Sequence, residues 1–271
     1  MNRGGSPVFL YHGVAEHGED AIRDPLYALP LESFRRHLSL LRARGCEAVT
    51  LGEFLSRGGA CGNACVITID DGLASAAAHL FPELARAGFK AVIFPVAGMV
   101  GRRGWVTWAE LGEMRRAGFE VGSHGMTHAN LAAVPPREAR EELAGSKRLL
   151  EDRLGAPVRY FSLPGGYRGP STGELAAEAG YEAICGSQFG YNRMPPDRLD
   201  LRRFCLRSVD AAETVGRIME GAFWPLASRY VRERGKGIGR SLLGGRLYAA
   251  LRKKLVPAGA HTTLPRFPLD E

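Results

Sequence analysis

The amino-acid sequence predicts an α/β fold, a distorted (β/α) barrel of about seven or eight parallel strands extended by a basic C-terminal helical appendage. Short apolar, β-branched runs alternate with amphipathic stretches of helical period, the pattern of repeated βα units around a parallel sheet. Glycines punctuate the ends of the helical stretches, where a left-handed residue stops a helix. Near residue 215 the alternation ceases.

In chain order, residues 8–11 (Val-Phe-Leu-Tyr) form the first expected strand, and 31–44 the first helix, stopped at Gly45. The short run 48–50 is a second strand, too brief for a regular barrel stave. Residues 65–69 (Cys-Val-Ile-Thr-Ile) form a third strand, followed by helix 75–87 and Gly88. Strand 91–96 leads to helix 108–117 and Gly118, strand 120–123 to helix 136–154 and Gly155. Strand 160–163 leads to helix 173–179 and Gly180, and strands 182–185 and 204–207 complete the set. This divides the chain into a barrel domain, 1–214, and a C-terminal segment, 215–271.

With 271 residues, 45% hydrophobic and 24% charged, the chain has the composition of a globular protein rather than a disordered or fibrous one. The net charge of +7 lies in the segment 215–271, which has eleven Lys or Arg against four Asp or Glu. There Ile238, Leu242, Leu247, Leu251 and Leu255 recur at near-helical spacing among Arg240, Arg246, Arg252, Lys253 and Lys254, interrupted by Gly244 and Gly245. Two readings stand: a helix covering the barrel with a solvated basic face, or peripheral contact with an anionic membrane through 229–256. No aromatic platform or nucleic-acid motif accompanies the charge, so nucleic acid is not an expected partner.

The N-terminal residues lack the pattern of an export signal, and no run of about 18 apolar residues suggests a spanning helix. The expected location is therefore the cytoplasm, including the inner membrane face. Five scattered cysteines fit a reducing compartment better than a disulfide framework, and Cys61 with Cys65 lacks the neighbours a metal site needs.

In a parallel barrel the chemistry gathers where strands end, which directs attention to Tyr11-His12-Gly13, Asp70-Asp71-Gly72, Ser123-His124-Gly125-Met126-Thr127-His128 and Leu163-Pro164-Gly165-Gly166-Tyr167. One carboxylate and two imidazoles supply three ligands to a divalent ion and leave a position open for water. His124 and His128 are four apart, so they share one face of a helix or converge in a turn. Asp70-Asp71 also suits a helix N-cap or turn; as a site, one carboxylate binds metal while its neighbour accepts a proton.

These motifs resemble those of the polysaccharide deacetylases of the NodB-homology type, carbohydrate esterase family 4, over roughly residues 7–210. Thr68-Ile69-Asp70-Asp71-Gly72 is similar to the family's T-F-D-D-G motif, Ser123 to His128 to its metal-binding histidine motif, and Phe161 to Gly166 to its strand-end motif ending P-x-G. The resemblance implies a NodB-type barrel, one divalent ion, zinc by preference, on Asp71, His124 and His128, Asp70 as general base, and the Gly165 N–H as oxyanion donor. Two features depart from it. Ser162 stands where many members carry an Arg that orients the base, and the usual C-terminal acid histidine has no clear counterpart, His261 lacking a preceding strand. A subgroup that resembles the poly-N-acetylglucosamine deacetylases carries its acid histidine in a first-strand Tyr-His motif, matched by Tyr11-His12, and residues 31–54 are similar to the segment that follows. By that likeness His12 is the general acid.

The expected activity is hydrolysis of the N-acetyl group of an amino sugar within a saccharide or glycoconjugate. An O-acetyl esterase or a non-sugar amidase would use the same residues. A catalytically silent sugar-binding protein is a further reading, motivated by the missing Arg at position 162.

Overall fold

A computed structural model describes residues 5–15 and 27–222 of the chain. The basic segment 229–256, His261 and the rest of 223–271 lie outside the described residues.

The elements run β1 (Val8–Tyr11), β2 (Gly13–Ala15), β3 (Ala28–Pro30), α1 (Leu31–Ala43), β4 (Glu47–Val49), α2 (Leu51–Ser56), β5 (Ala64–Asp71), α3 (Phe81–Ala87), β6 (Val92–Pro95), α4 (Trp108–Arg116), β7 (Glu120–Val121), α5 (Pro136–Arg140), α6 (Ser146–Leu154), β8 (Tyr160–Ser162), α7 (Thr172–Glu178), β9 (Ala183–Cys185), β10 (Phe204–Cys205) and α8 (Ala212–Met219). All eight expected strands and all five expected helices are present. Every strand pairing is parallel.

The main sheet runs β10-β1-β5-β6-β7, with β4 paired to the first half of β5 off that path. A second sheet, β8-β9, joins it by single parallel bridges, Ser123 to Phe161 on one side and Cys185 to Leu201 on the other. Leu201 lies just before β10, so the strands follow one another around a barrel whose two seams are only bridges. The sequence places the distortion at the short 48–50 strand, and β4 does lie off the path; the thin seams are a further irregularity. The central strand β5 is buried along its whole length, as a stave covered on both faces should be. Phe9, Ile67, Ile93 and Phe204 pack toward the surrounding helices in one cluster, while Val8, Val66, Val92 and Tyr160 fill another. The alternation follows the two-residue period of a strand.

Two of the expected helices are interrupted. One turn of π-helix, Ala76–Leu80, precedes α3, and another, Glu141–Gly145, separates α5 from α6; the extra residue re-aims the side chains that follow. The parallel pair β2-β3 and helices α2 and α8 are not in the sequence reading. Gly-Val-Ala and Ala-Leu-Pro lack the run of β-branched or aromatic residues that marks a strand. The start of α2 was legible, because Thr50 and Glu53 make a reciprocal capping box.

Helix α8 straddles the expected boundary between 214 and 215. Its Val215 and Ile218 are fully buried, and Arg44 of the α1 cap donates to Gly216 O at 3.0 Å and Glu220 Oε1 at 2.7 Å. Among the described residues no helix is long and apolar enough to cross a membrane.

Candidate active site and metal centre

Strand register assembles the site. Tyr11 pairs with Ile69, so His12 and Asp70 follow at the same level of adjacent strands. Asp71 pairs with Pro95 at the end of β6, and the segment beyond that proline grips the histidine loop: His124 N–H donates to Pro95 O, Ala97 N–H to Gly125 O and Gly98 N–H to Met126 O, at 2.9 to 3.0 Å.

Asp71 Oδ1 lies 3.3 Å from His124 Nε2 and 3.5 Å from His128 Nε2. The ligand atoms of the three residues fall within 4.8 Å of one another, the only such His, Cys, Asp or Glu group found among the described residues. Asp71 and His128 are also the only non-glycine residues with positive φ among those described, at 69° and 63°. Such backbone costs about 1–3 kcal/mol and persists where the surroundings demand it, as at a ligand clamp. His128 thus leaves the helical alternative unused: the pair converges through a loop in which Gly125 also has φ 81°.

The donor set fits a divalent cation. His124 Nδ1 is 2.9 Å from Ser162 O, a bond that places its proton on Nδ1 and turns the Nε2 lone pair to the centre. Asp71 Oδ1 is buried without a hydrogen bond among the described residues. Two lone pairs and a carboxylate oxygen facing one point call for a positive charge there. Burial drives Asp71 toward the neutral acid, but His124, His12 and His128 outweigh it and hold its carboxyl well below the usual range. Burial likewise opposes protonation of His124, where Asp70 and Asp71 prevail and raise it. Burial, reinforced by His124, brings His128 down to about 4.

A buried carboxylate that the sequence reading missed secures the loop. Glu142 accepts the N–H of Met126 at 2.8 Å, the N–H of Thr127 at 3.0 Å and the Thr127 hydroxyl. It lies on the second π turn, and a Cβ at Gly125 would stand 2.8 Å from Glu142 Oε2, so glycine is what permits the approach. Thus Gly125, between the histidines, serves backbone geometry and carboxylate access together.

Asp70 is 2% exposed and is not part of the Asp71, His124, His128 cluster. Its partner is Arg203, a fully buried side chain just before β10. Arg203 Nη1 donates to Asp70 Oδ1 and Nη2 to Oδ2, both at 2.8 Å, while Nη1 also reaches Thr68 Oγ1 at 3.1 Å and Nε reaches Gly186 O at 2.7 Å. Ser162 Oγ donates to Asp70 Oδ2 at 2.8 Å and accepts from Arg203 Nη2 at 2.8 Å. The Arg missing from position 162 therefore has its counterpart at 203, with the small Ser162 leaving it room. No local pattern marked it; only the pairing of β10 with β1, itself paired with β5, brings Arg203 within reach of Asp70. Burial pushes Asp70 up, and Arg203, then His124 and His12, more than reverse this, leaving it ionised.

His12 Nδ1 is buried and without a hydrogen bond among the described residues, and its ring lies 4.6 Å from that of Tyr27. Burial lowers its basicity against the pull of Asp71 and Asp70. Gly165 occupies the turn Pro164–Gly166 after β8, with φ 61°. Cys65, considered with Cys61, instead accepts the Cys46 thiol at 3.6 Å in the core.

Residues 58–184 match the family described as polysaccharide deacetylase. The Bacillus subtilis (strain 168) protein YxkH, named as a polysaccharide deacetylase, is 27% identical over 180 residues, 65% of this chain and 62% of its own length; the chain thus spans less than two thirds of that relative. The structure of IcaB from Ammonifex degensii is 26% identical, covers 81% of this chain and 97% of its own, and superposes with a TM-score of 0.68. The Streptococcus pyogenes deacetylase PplD, solved with acetate, shares the fold at 20% identity, 79% and 98% coverage and a TM-score of 0.73. The family match spans residues 58–184, just under half of the chain, and together with the barrel and its strand-end motifs it makes this part of the chain similar to the polysaccharide deacetylases of the NodB-homology type.

Proposed function

We propose that the chain is a metal-dependent hydrolase that removes the N-acetyl group from an amino sugar of a saccharide or glycoconjugate, releasing acetate. The observation that carries this reading is the buried Asp71, His124, His128 cluster beside an Asp70 carboxylate that is separately held ionised by Arg203. Asp71, His124 and His128 hold one divalent ion, zinc by its nitrogen and oxygen donors. The ion, when bound, lowers the pKa of water toward about 7 and polarises the acetamide carbonyl.

The remaining work falls to this chain's residues. Asp70, aimed by the guanidinium and the Ser162 hydroxyl, takes the proton of the attacking water. The Gly165 N–H donates to the oxygen of the tetrahedral intermediate, an interaction of about 3 kcal/mol in comparable sites. His12 protonates the departing nitrogen; because burial keeps the imidazole neutral, that proton is acquired during turnover. The same neutrality favours a second reading, O-acetyl ester hydrolysis, whose alkoxide leaving group is less demanding of an acid than an amine. The silent-binder reading loses its motive, since Arg203 supplies the guanidinium that position 162 lacks.

The test is incubation of metal-reconstituted protein with N-acetylglucosamine oligomers, nucleotide sugars, lipid-linked sugars and O-acetylated sugars, quantifying acetate and free amine. Equimolar amine and acetate support the proposal. Acetate only from the O-acetylated sugars selects the esterase, and no acetate from any substrate overturns both.

A further inference from the structure

We propose that Tyr167 is a specificity-determining residue whose ring provides a stacking face for the sugar that carries the acetyl group. The inference rests on the deacetylase reading and extends it to recognition of the sugar ring.

Its basis is the turn after β8. At Gly165, with φ 61° and ψ 9°, an added Cβ would fall 2.6 Å from Tyr167 Cε2 and 2.7 Å from Cδ2. The ring of Tyr167 therefore fills the volume into which residue 165 would project its own side chain. Tyr167 N–H donates to Pro164 O at 3.2 Å, which folds the aromatic residue back over the turn. On the other side, a Cβ at Gly166, φ 70°, would stand 2.6 Å from Ser187 Cβ. Two consecutive glycines thus clear the backbone while a single aromatic side chain supplies the wall.

The turn is tied to the catalytic groups. It begins two residues after Ser162, whose hydroxyl bonds Asp70 and whose carbonyl faces His124 Nδ1 at 2.9 Å. Gly165 is exposed and Tyr167 half-buried, and Pro164 Cγ lies 3.8 Å from where a Cβ at Gly125 would stand, so the turn sits beside the histidine loop at the surface rather than in the core. A pyranose has an apolar C–H face edged by hydroxyls, and a tyrosine has an apolar face with a polar tip, so the two surfaces are complementary. Placed beside the N–H assigned to the oxyanion, the ring sets the plane in which the sugar approaches.

The experiment uses the full-length, metal-loaded protein and its Tyr167→Phe, Tyr167→Leu and Tyr167→Ala variants. The readout is the ratio of kcat/KM for an N-acetylglucosamine oligomer to kcat/KM for p-nitrophenyl acetate, which has no sugar. Tyr167→Ala and Tyr167→Leu should lower that ratio about tenfold, through KM, while Tyr167→Phe retains it, because stacking needs the ring and not the hydroxyl. An unchanged ratio in Tyr167→Ala, or equal losses on both substrates, would overturn the proposal, the latter by showing that the ring only braces the turn. Should the parent release no amine, the deacetylase reading fails by itself. Oligomer binding to Asp70→Asn with and without Tyr167→Ala then judges the wall separately: about tenfold weaker binding upholds it and equal binding refutes it.

Discussion

Replacing Arg203 by Met should damage stability, the charge state of Asp70, the proposed base, and turnover together. The guanidinium is fully buried and makes five hydrogen bonds, two of them to Asp70. Removing one partner of a buried ion pair leaves the other uncompensated, at a cost of about 3–5 kcal/mol. Arg203 is the largest influence holding the Asp70 carboxyl down against burial. Without it that carboxyl rises, so the acid limb of the pH–rate profile should move to higher pH, with turnover at neutral pH reduced about a hundredfold. Arg203→Lys keeps a charge but cannot reproduce the two-pronged geometry, so it should recover part of the shift and little of the stability. Arg203→Met combined with Asp70→Asn should be more stable than Arg203→Met alone, because the orphaned carboxylate is gone. Urea unfolding and pH–rate profiles measure these effects. An Arg203→Met protein with the parent's midpoint and the parent's acid limb would refute the assignment of Arg203 as the residue that positions the base.

Asp70→Asn should keep metal and lose about a hundredfold in turnover, whereas Asp71→Ala should lose metal affinity; metal analysis and acetate release separate the two roles. Glu142→Ala removes the acceptor shared by Met126 and Thr127 and should weaken metal binding by about 10–100-fold, read by chelator competition, without changing the metal stoichiometry at saturation. His12→Ala should retain metal and lose far more activity on acetamides than on activated acetate esters; equal losses on both would remove it as the acid. For the metal-free protein, His128 titrates near 4 when folded and His12 is lowered in the same direction, against an ordinary histidine value of about 6.5. The unfolded chain therefore binds more protons below that value, so the stability from these neutral imidazoles is present above pH 6.5 and is lost as pH falls toward 4. The raised His124 opposes this trend near neutrality, so denaturation midpoints should fall with acid between about pH 6 and 4.5, and His128→Gln should flatten the slope.

How far the sequence alone reaches depends on whether a feature is local. Strands such as Val8–Tyr11 and Ala64–Asp71 and the glycine stops of the helices are written in short apolar runs and in residues that tolerate positive φ, both legible without a fold. The candidate ligands were legible for the same reason, since Asp70-Asp71 and His124 to His128 are short motifs at the ends of recognisable strands. Periodicity did not reveal the π turns, because Ala76–Leu80 and Glu141–Gly145 differ from α-helix by the placement of one residue. Nor did it reveal β2 and β3, whose pairing is stabilised from outside their three residues each. Above all, tertiary structure decided who serves the Asp70 carboxylate. Arg203 lies 133 positions from Asp70, and an Arg beside a strand is ordinarily a surface residue. Only when β10 closes against β1 is its charge drawn out of water, and a buried guanidinium must then find a carboxylate. Sequence thus specified which groups could do chemistry, through local backbone and side-chain type; closure of the barrel chose their partners, because burial makes an unpaired charge too costly to keep.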